Sequence, residues 1–137
     1  MPTITHIDES LMQVLTESAD VALLAGSRIY AVQAPQGVAM PCVVVTRESG
    51  LRDIGMHMLG HTGMVRATYT VSCLGQSLMD VRNLSRAVRN LLQFKKTDAI
   101  RLATVRTDDD LQEPPNNGEQ LPIYRTDLSV DVTYTET

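Results

Sequence analysis

The chain has 137 residues, of which 43% are hydrophobic and 20% charged, with a formal net charge of -4 and a pI near 5.2. This length suits one domain, residues 1–137, with a core that needs no staples, and the composition excludes a disordered or low-complexity chain. The acidic balance argues against a protein that grips phosphates, which needs a basic excess, while leaving room for a mildly acidic surface that DNA slides past.

Cys42 and Cys73 both lie inside apolar, strand-like runs and read as small buried hydrophobes of a reducing compartment. The first 17 residues carry neither a basic segment nor an apolar stretch of signal type, and no apolar run approaches the roughly 18 residues of a membrane span. Synthesis in the cytoplasm is therefore expected. With one Phe, four Tyr and no Trp, the core must be built from aliphatic side chains.

In chain order, the first predicted helix covers about Asp8 to Thr16, with Asp8 as N-cap and Ile7, Leu11, Val14 and Leu15 on one face. A short second helix has Ser18 as cap, Asp20 in its first turn, Val21, Leu23 and Leu24 as apolar weight, and Gly26 as its end. Ser27–Ala34 is a short extended piece, and Pro35, Gln36, Gly37 and Pro41 form a turn-rich loop. Cys42–Glu48 is the first strong strand, closed by Ser49 and Gly50. Leu51–Gly63 then makes a long loop, well beyond the usual hairpin length of about 2–5 residues, and its apolar side chains need something to pack on.

Met64–Leu74 alternates cleanly, with Val65, Ala67, Tyr69, Val71 and Cys73 on one side and Arg66, Thr68, Thr70 and Ser72 on the other. The main helix starts at Ser77, with Asp80 in a capping-box-like place. Its stripe is Leu78, Val81, Leu84, Val88 and Leu91, with Ala87 and Leu92 beside it, and Arg82, Arg86 and Arg89 form a basic row on its wet face. After the exit loop Phe94–Asp98, a strand is expected over Ala99–Thr107, a turn region over 108–121, and a last strand over Pro122–Thr135. The expected fold is α+β, in the order helix-helix-strand-strand-helix-strand-strand. A mainly antiparallel four-stranded sheet carries helices on one face, and the simplest arrangement has the third strong strand at an edge and the fourth beside the second.

A search for chemistry finds little. His57 and His61 have the i, i+4 spacing of a helical metal pair, but Gly55, Gly60 and Gly63 argue against a helix and no further ligand stands nearby. Mid-strand cysteines suit inert thiols better than nucleophiles. No phosphate-binding glycine loop, dinucleotide fingerprint or G-x-S-x-G elbow occurs. Asp108-Asp109-Asp110 lacks the alternation and glycine of a calcium loop and reads as a solvated strand end. No cofactor, metal or catalytic residue is expected.

Gly26-Ser27-Arg28-Ile29-Tyr30, followed by Pro35-Gln36-Gly37 and Pro41-Cys42-Val43-Val44-Val45, resembles the opening of the tail completion proteins of long-tailed phages, also described as tail terminator or tail-to-head joining proteins. The resemblance continues through Arg66–Cys73, the helix segment Ala87-Val88-Arg89-Asn90-Leu91-Leu92 and the closing strand Tyr124–Val132, covering about Leu11 to Tyr134. The chain departs from the pattern in the length of Leu51–Gly63 and in Cys73-Leu74, where an aromatic residue often follows. The resemblance implies a non-enzymatic structural subunit of the virion neck and tail. Such proteins form a ring, usually a hexamer, at the head-proximal end of the tail tube. The ring ends tube polymerisation and docks to the head completion or connector protein, and DNA passes through it without sequence-specific binding. The alternatives are a head completion protein, a tube protein or a small enzyme.

Two segments become candidate working surfaces in that setting. Leu51, Ile54, Met56, His57, Met58, Leu59 and His61 form a Met-rich loop suited to contact with a neighbouring subunit or the tube. Asp108, Asp109 and Asp110 suit a lumen wall that repels DNA phosphates.

Overall fold

The computed structural model describes residues 7–32, 41–52, 64–97, 100–113 and 123–135. The elements are α1 (Ile7–Glu17), α2 (Ala19–Ala25), β1 (Ile29–Ala31), β2 (Cys42–Arg52), β3 (Met64–Gly75), α3 (Leu78–Leu92), β4 (Leu102–Glu113) and β5 (Ile123–Thr135).

The alternating segment becomes the middle of the sheet. Strand β3 pairs antiparallel with β2 on one side and with β5 on the other, over its full length from Met64↔Thr135 to Gly75↔Tyr124. The strand order is β1-β2-β3-β5-β4. The third strong strand thus lies at an edge and the fourth beside the second, as expected. The fold is α+β, but the sheet has five strands and is mixed, because Ile29–Ala31 adds a short edge strand parallel to β2. Three residues are too few to show a period, so the sequence marks this piece only as extended.

Val65, Ala67, Tyr69, Val71 and Cys73 are buried and join Val43, Val45, Ala103, Leu128, Val130 and Val132 in one cluster. The helices cover that face with Leu11 and Leu15 of α1, Val21 and Ala25 of α2, and Val81, Leu84, Val88 and Leu92 of α3. Ser18 caps α2 by accepting from the Val21 amide, and Gly26 ends it with φ of 60°. Gly75 is required where β3 turns under α3: a β-carbon there would sit 2.9 Å from Val81 Cγ2.

Several boundaries differ from the sequence reading. Asp8 lies inside the first turn of α1 rather than at its N-cap, and its carboxylate accepts a hydrogen bond from the Tyr69 hydroxyl. Ser77 occupies the N-cap position of α3 without a side-chain capping bond, and Leu78 at the helix start is exposed rather than part of the buried stripe. Strand β2 continues past Ser49 and Gly50 to Arg52, with a register shift between Arg47 and Ser49. A bulge absorbs one residue and lets the ladder resume, which a turn signal in the sequence conceals. Strand β4 begins at Leu102 and runs on through Asp108, Asp109 and Asp110 to Glu113, so the expected turn begins later than residue 108.

Tyr69 joins α1 to the central strand through that bond to Asp8. Burial first, then the hydrogen bond to Asp8 and the charge of its carboxylate, push the phenol well above its ordinary value, so it stays protonated and donates. Tyr69→Phe removes the hydroxyl and keeps the ring. It is expected to cost about 1–2 kcal/mol, or roughly 3–10 °C in melting temperature. An unchanged melt would show that apolar packing alone holds α1.

Candidate assembly interface

Strand alternation divides the acidic run between two faces. Asp108 and Asp110 stand opposite the buried Leu128 and Thr126, on the helix side, while Asp109 stands opposite Asp127 on the other side. On the helix side the basic row of α3 meets the run: Arg82 NH2 lies 3.4 Å from Asp110 Oδ2, and Arg89 NH1 lies 3.8 Å from Asp108 Oδ2. Thr126 Oγ1 donates to Asp110 Oδ1 at 2.8 Å. The helix and the strand edge are therefore laced by exposed ion pairs, each worth under about 1 kcal/mol but together aligning α3 along β4.

The face turned away from the helices is polar and internally paired. Arg125 grips Asp127 through two hydrogen bonds, Nε to Oδ1 and NH2 to Oδ2, both 2.7 Å, and Ser72 Oγ donates to Oδ1 at 2.7 Å. Asp131 accepts from Thr68 Oγ1 at 3.0 Å and lies 3.4 Å from Arg106 Nε. Burial alone would raise the Asp127 pKa. The hydrogen bonds from Arg125 and Ser72, with the charge of Arg125, outweigh it and hold the carboxyl below its ordinary value.

Neither cysteine is in a disulfide, and both are buried. They occupy successive register positions, with Val43 opposite Cys73 and Cys42 opposite Leu74, so their side chains leave the sheet on opposite faces. Burial raises both thiols, Cys73 the more strongly. Such thiols are poor nucleophiles. Among the described residues no group of three or more His, Cys, Asp or Glu is placed to hold a metal ion. His6, His57 and His61 lie outside the described residues. Of the candidate contact loop, Leu51 ends up in β2, with its backbone opposite Arg66, while Ile54, Met56, His57, Met58, Leu59 and His61 lie outside the described residues.

Besides Leu78, the sequence reading missed four exposed apolar side chains: Leu23 (85% exposed), Val32 (72%), Met79 (63%) and Phe94 (67%). Leu23 counts in the sequence only as part of the apolar weight of α2, with no face assigned. Phe94 follows the C-cap of α3 in the left-handed region, at φ 58°. That position usually takes Gly or Asn, so a Phe directly after an amphipathic helix was the available signal.

A family model described as Tail completion protein gp17 matches residues 9–134. The chain belongs to this family. As a tail completion protein it is a structural component of a virion tail. A chain of a solved structure titled "Virion of native gene transfer agent (GTA) particle" shares the fold, with a TM-score of 0.69 and 14% identity over 91% of each chain. No curated protein matches. No helix among the described residues is long and apolar enough to cross a membrane.

The clamp on Asp127 gives this tail completion protein an acid-labile element. Its folded pKa lies below the ordinary value of 3.8, so the stabilisation is complete above that value and is lost as pH falls through the lower folded one. Asp127→Asn leaves Arg125 without its carboxylate partner and is expected to cost about 1–3 kcal/mol at pH 7. The gap from wild type should narrow as pH falls below about 4. Urea unfolding between pH 3 and 7 checks this, and a gap that stayed constant with pH would contradict the clamp.

Proposed function

We propose that the chain is a non-enzymatic subunit of a ring, most simply a hexamer, that caps the head-proximal end of a tail tube. The ring ends tube polymerisation and joins the tail to the head completion or connector protein, and DNA passes through its centre. The observation that carries this reading is the family match across residues 9–134. The structural neighbour, whose title names a virion particle, is consistent with the same fold serving inside an assembled particle.

The fold suits a head-to-tail ring. Such a ring needs two different, complementary patches on each subunit. The two edges of this sheet are unlike: three residues of parallel strand at β1 and twelve residues of antiparallel strand at β4. The segment 53–63, which follows β2, serves in this reading as the contact with a neighbouring subunit or the tube. Of the acidic run Asp108, Asp109 and Asp110, the residue that faces the lumen in this reading is Asp109, on the face away from the helices. With Asp110 and Asp108 paired to Arg82 and Arg89, repulsion of DNA phosphates falls chiefly to Asp109.

Complementation of a particle producer that lacks this chain tests the proposal. Without the chain, tubes of excess length and no attached heads are expected, and the wild-type chain restores normal particles. Normal tails joined to heads in its absence would refute the reading, and absent or malformed tubes would identify a tube protein instead. A chain lacking residues 53–62 is expected to fail in restoring tail length, and full restoration would remove the loop from the contact. Asp109→Lys is expected to restore assembly but lower DNA delivery at least tenfold. Unchanged delivery would place Asp109 on the outer wall.

A further inference from the structure

Val32 and Phe94 are the only non-glycine residues among those described with a left-handed backbone, at φ 68° and 58°. Both are apolar and both are exposed. A β-branched or bulky aromatic residue is disfavoured in this conformation, and an exposed apolar side chain adds no burial in return. The two lie at opposite edges of the sheet. Val32 directly follows β1, where its amide is held by the Val45 carbonyl at 2.8 Å. Phe94 directly precedes Lys95, which bridges to Ala103 of β4. At about 4.8 Å per strand spacing, four spacings separate these edges by roughly 19 Å.

The surroundings of the two residues are opposite in charge. Beside β1, a shallow groove runs along α1 to Ala31, with Met12 in it and Asp8, Glu9 and Glu17 on its lips. Among the described residues no Lys or Arg lines this groove, and Glu17 accepts from the neutral Gln13 at 3.0 Å. Beside β4, Phe94 is followed by Lys95 and Lys96, and Arg101 is exposed close by in the chain. Counting Asp98, which lies outside the described residues, the stretch 93–101 carries three cations and one anion, a net +2.

We infer that these are the two halves of one contact between neighbouring copies of this chain: the Phe94 turn of one subunit seats in the α1–β1 groove of the next. Phe94 covers Met12, Ala31 and Val32, while Lys95, Lys96 and Arg101 meet Glu9 and Glu17. The inference rests on the ring reading above and names the surfaces that would close the ring. A groove at one edge and a plug at the other is the heterologous arrangement that repeats around an axis. The charged lips set the register and make the contact sensitive to salt.

The test is self-association of the purified full chain, read by sedimentation velocity and by imaging for rings, with thermal melting as the control for folding. Phe94→Ser, the pair Lys95→Glu and Lys96→Glu, and the pair Glu9→Lys and Glu17→Lys are each expected to weaken association at least tenfold, with an unchanged melt. All these residues are at least partly exposed, and the α1 substitutions oppose the helix dipole at one end while favouring it at the other. A chain carrying all four charge reversals should recover assembly, because its plug and groove are again of opposite sign. Rings that form equally well in every variant would overturn this contact and leave the ring reading intact. Failure of the four-fold variant to recover, while both pairs alone disrupt, would also overturn it. A wild-type chain that stays monomeric at its highest soluble concentration, and shows no ring on tail tubes, would defeat the ring reading and this contact together.

Discussion

The two-residue alternation along Met64–Gly75 sends Val65, Ala67, Tyr69, Val71 and Cys73 to one face of the sheet, and covering that face determines where everything else goes. Strands β2 and β5 pair with it on both sides and extend the apolar face, which leaves the helices one surface on which to bury their stripes. On β3 and β5 the opposite face is left mostly to hydroxyls and carboxylates, with the buried Cys42 and Val44 of β2 beside them. Because every ladder position is set by β3, the polar partners meet by register: Ser72 lies opposite Asp127 and Thr68 opposite Asp131. A slip of one residue would bury those carboxylates and expose the core side chains, so pattern and pairing enforce each other.

The periphery follows a different rule. Strand β4 is long and lies at an edge, where an open ladder invites uncontrolled pairing. Its start is covered: the Val105 amide donates to Gln93 Oε1 at 2.7 Å, and the Ala103 amide donates to the Lys95 carbonyl at 2.9 Å. Further along, Asp108 and Asp110 reach to Arg89 and Arg82 on α3. Exposed pairs of this kind contribute little stability. Their effect is to neutralise a run of like charge and to hold helix and strand in one alignment, which suits a subunit that must present a fixed outline to its neighbours.

Legibility in the sequence tracked the range of the interaction that decides each element. Ser18 and Gly26 mark α2 through contacts within one turn, and the alternation of β3 is visible in eleven consecutive residues. The strand order matches the simplest arrangement of the four strong strands. By contrast, Asp108-Asp109-Asp110 looks like a turn because three adjacent carboxylates are unfavourable in an isolated strand. The compensation comes from Arg89, 19 residues before Asp108, and Arg82, 28 residues before Asp110. Asp8 looks like an N-cap until Tyr69, 61 residues away, claims its carboxylate. The main-helix stripe was right at Val81, Leu84 and Val88, and wrong at Leu78, because the helix starts beyond the edge of the core it covers. Of the two candidate surfaces, the acidic run resolved into two faces, while most of the Met-rich loop lies outside the described residues.

The charge distribution bears on how such a subunit stays separate until it is needed. A net charge of -4 keeps copies apart weakly at long range, yet the Debye length in the cell is only about 8 Å, so contact is governed by the lips that touch. The β1 edge is acidic around a shallow groove, whereas at the β4 edge only the end beside Phe94, with Lys95, Lys96 and Arg101, is basic. A contact so small is weak between two free subunits. In a closed ring, the last contact forms within an assembly already held together, at a high effective concentration and with no edge left open. Weak, oppositely charged edges therefore disfavour dimers and open chains relative to the closed form. In the proposed ring this would be an advantage: subunits would stay dispersed until a circular template brought several of them together.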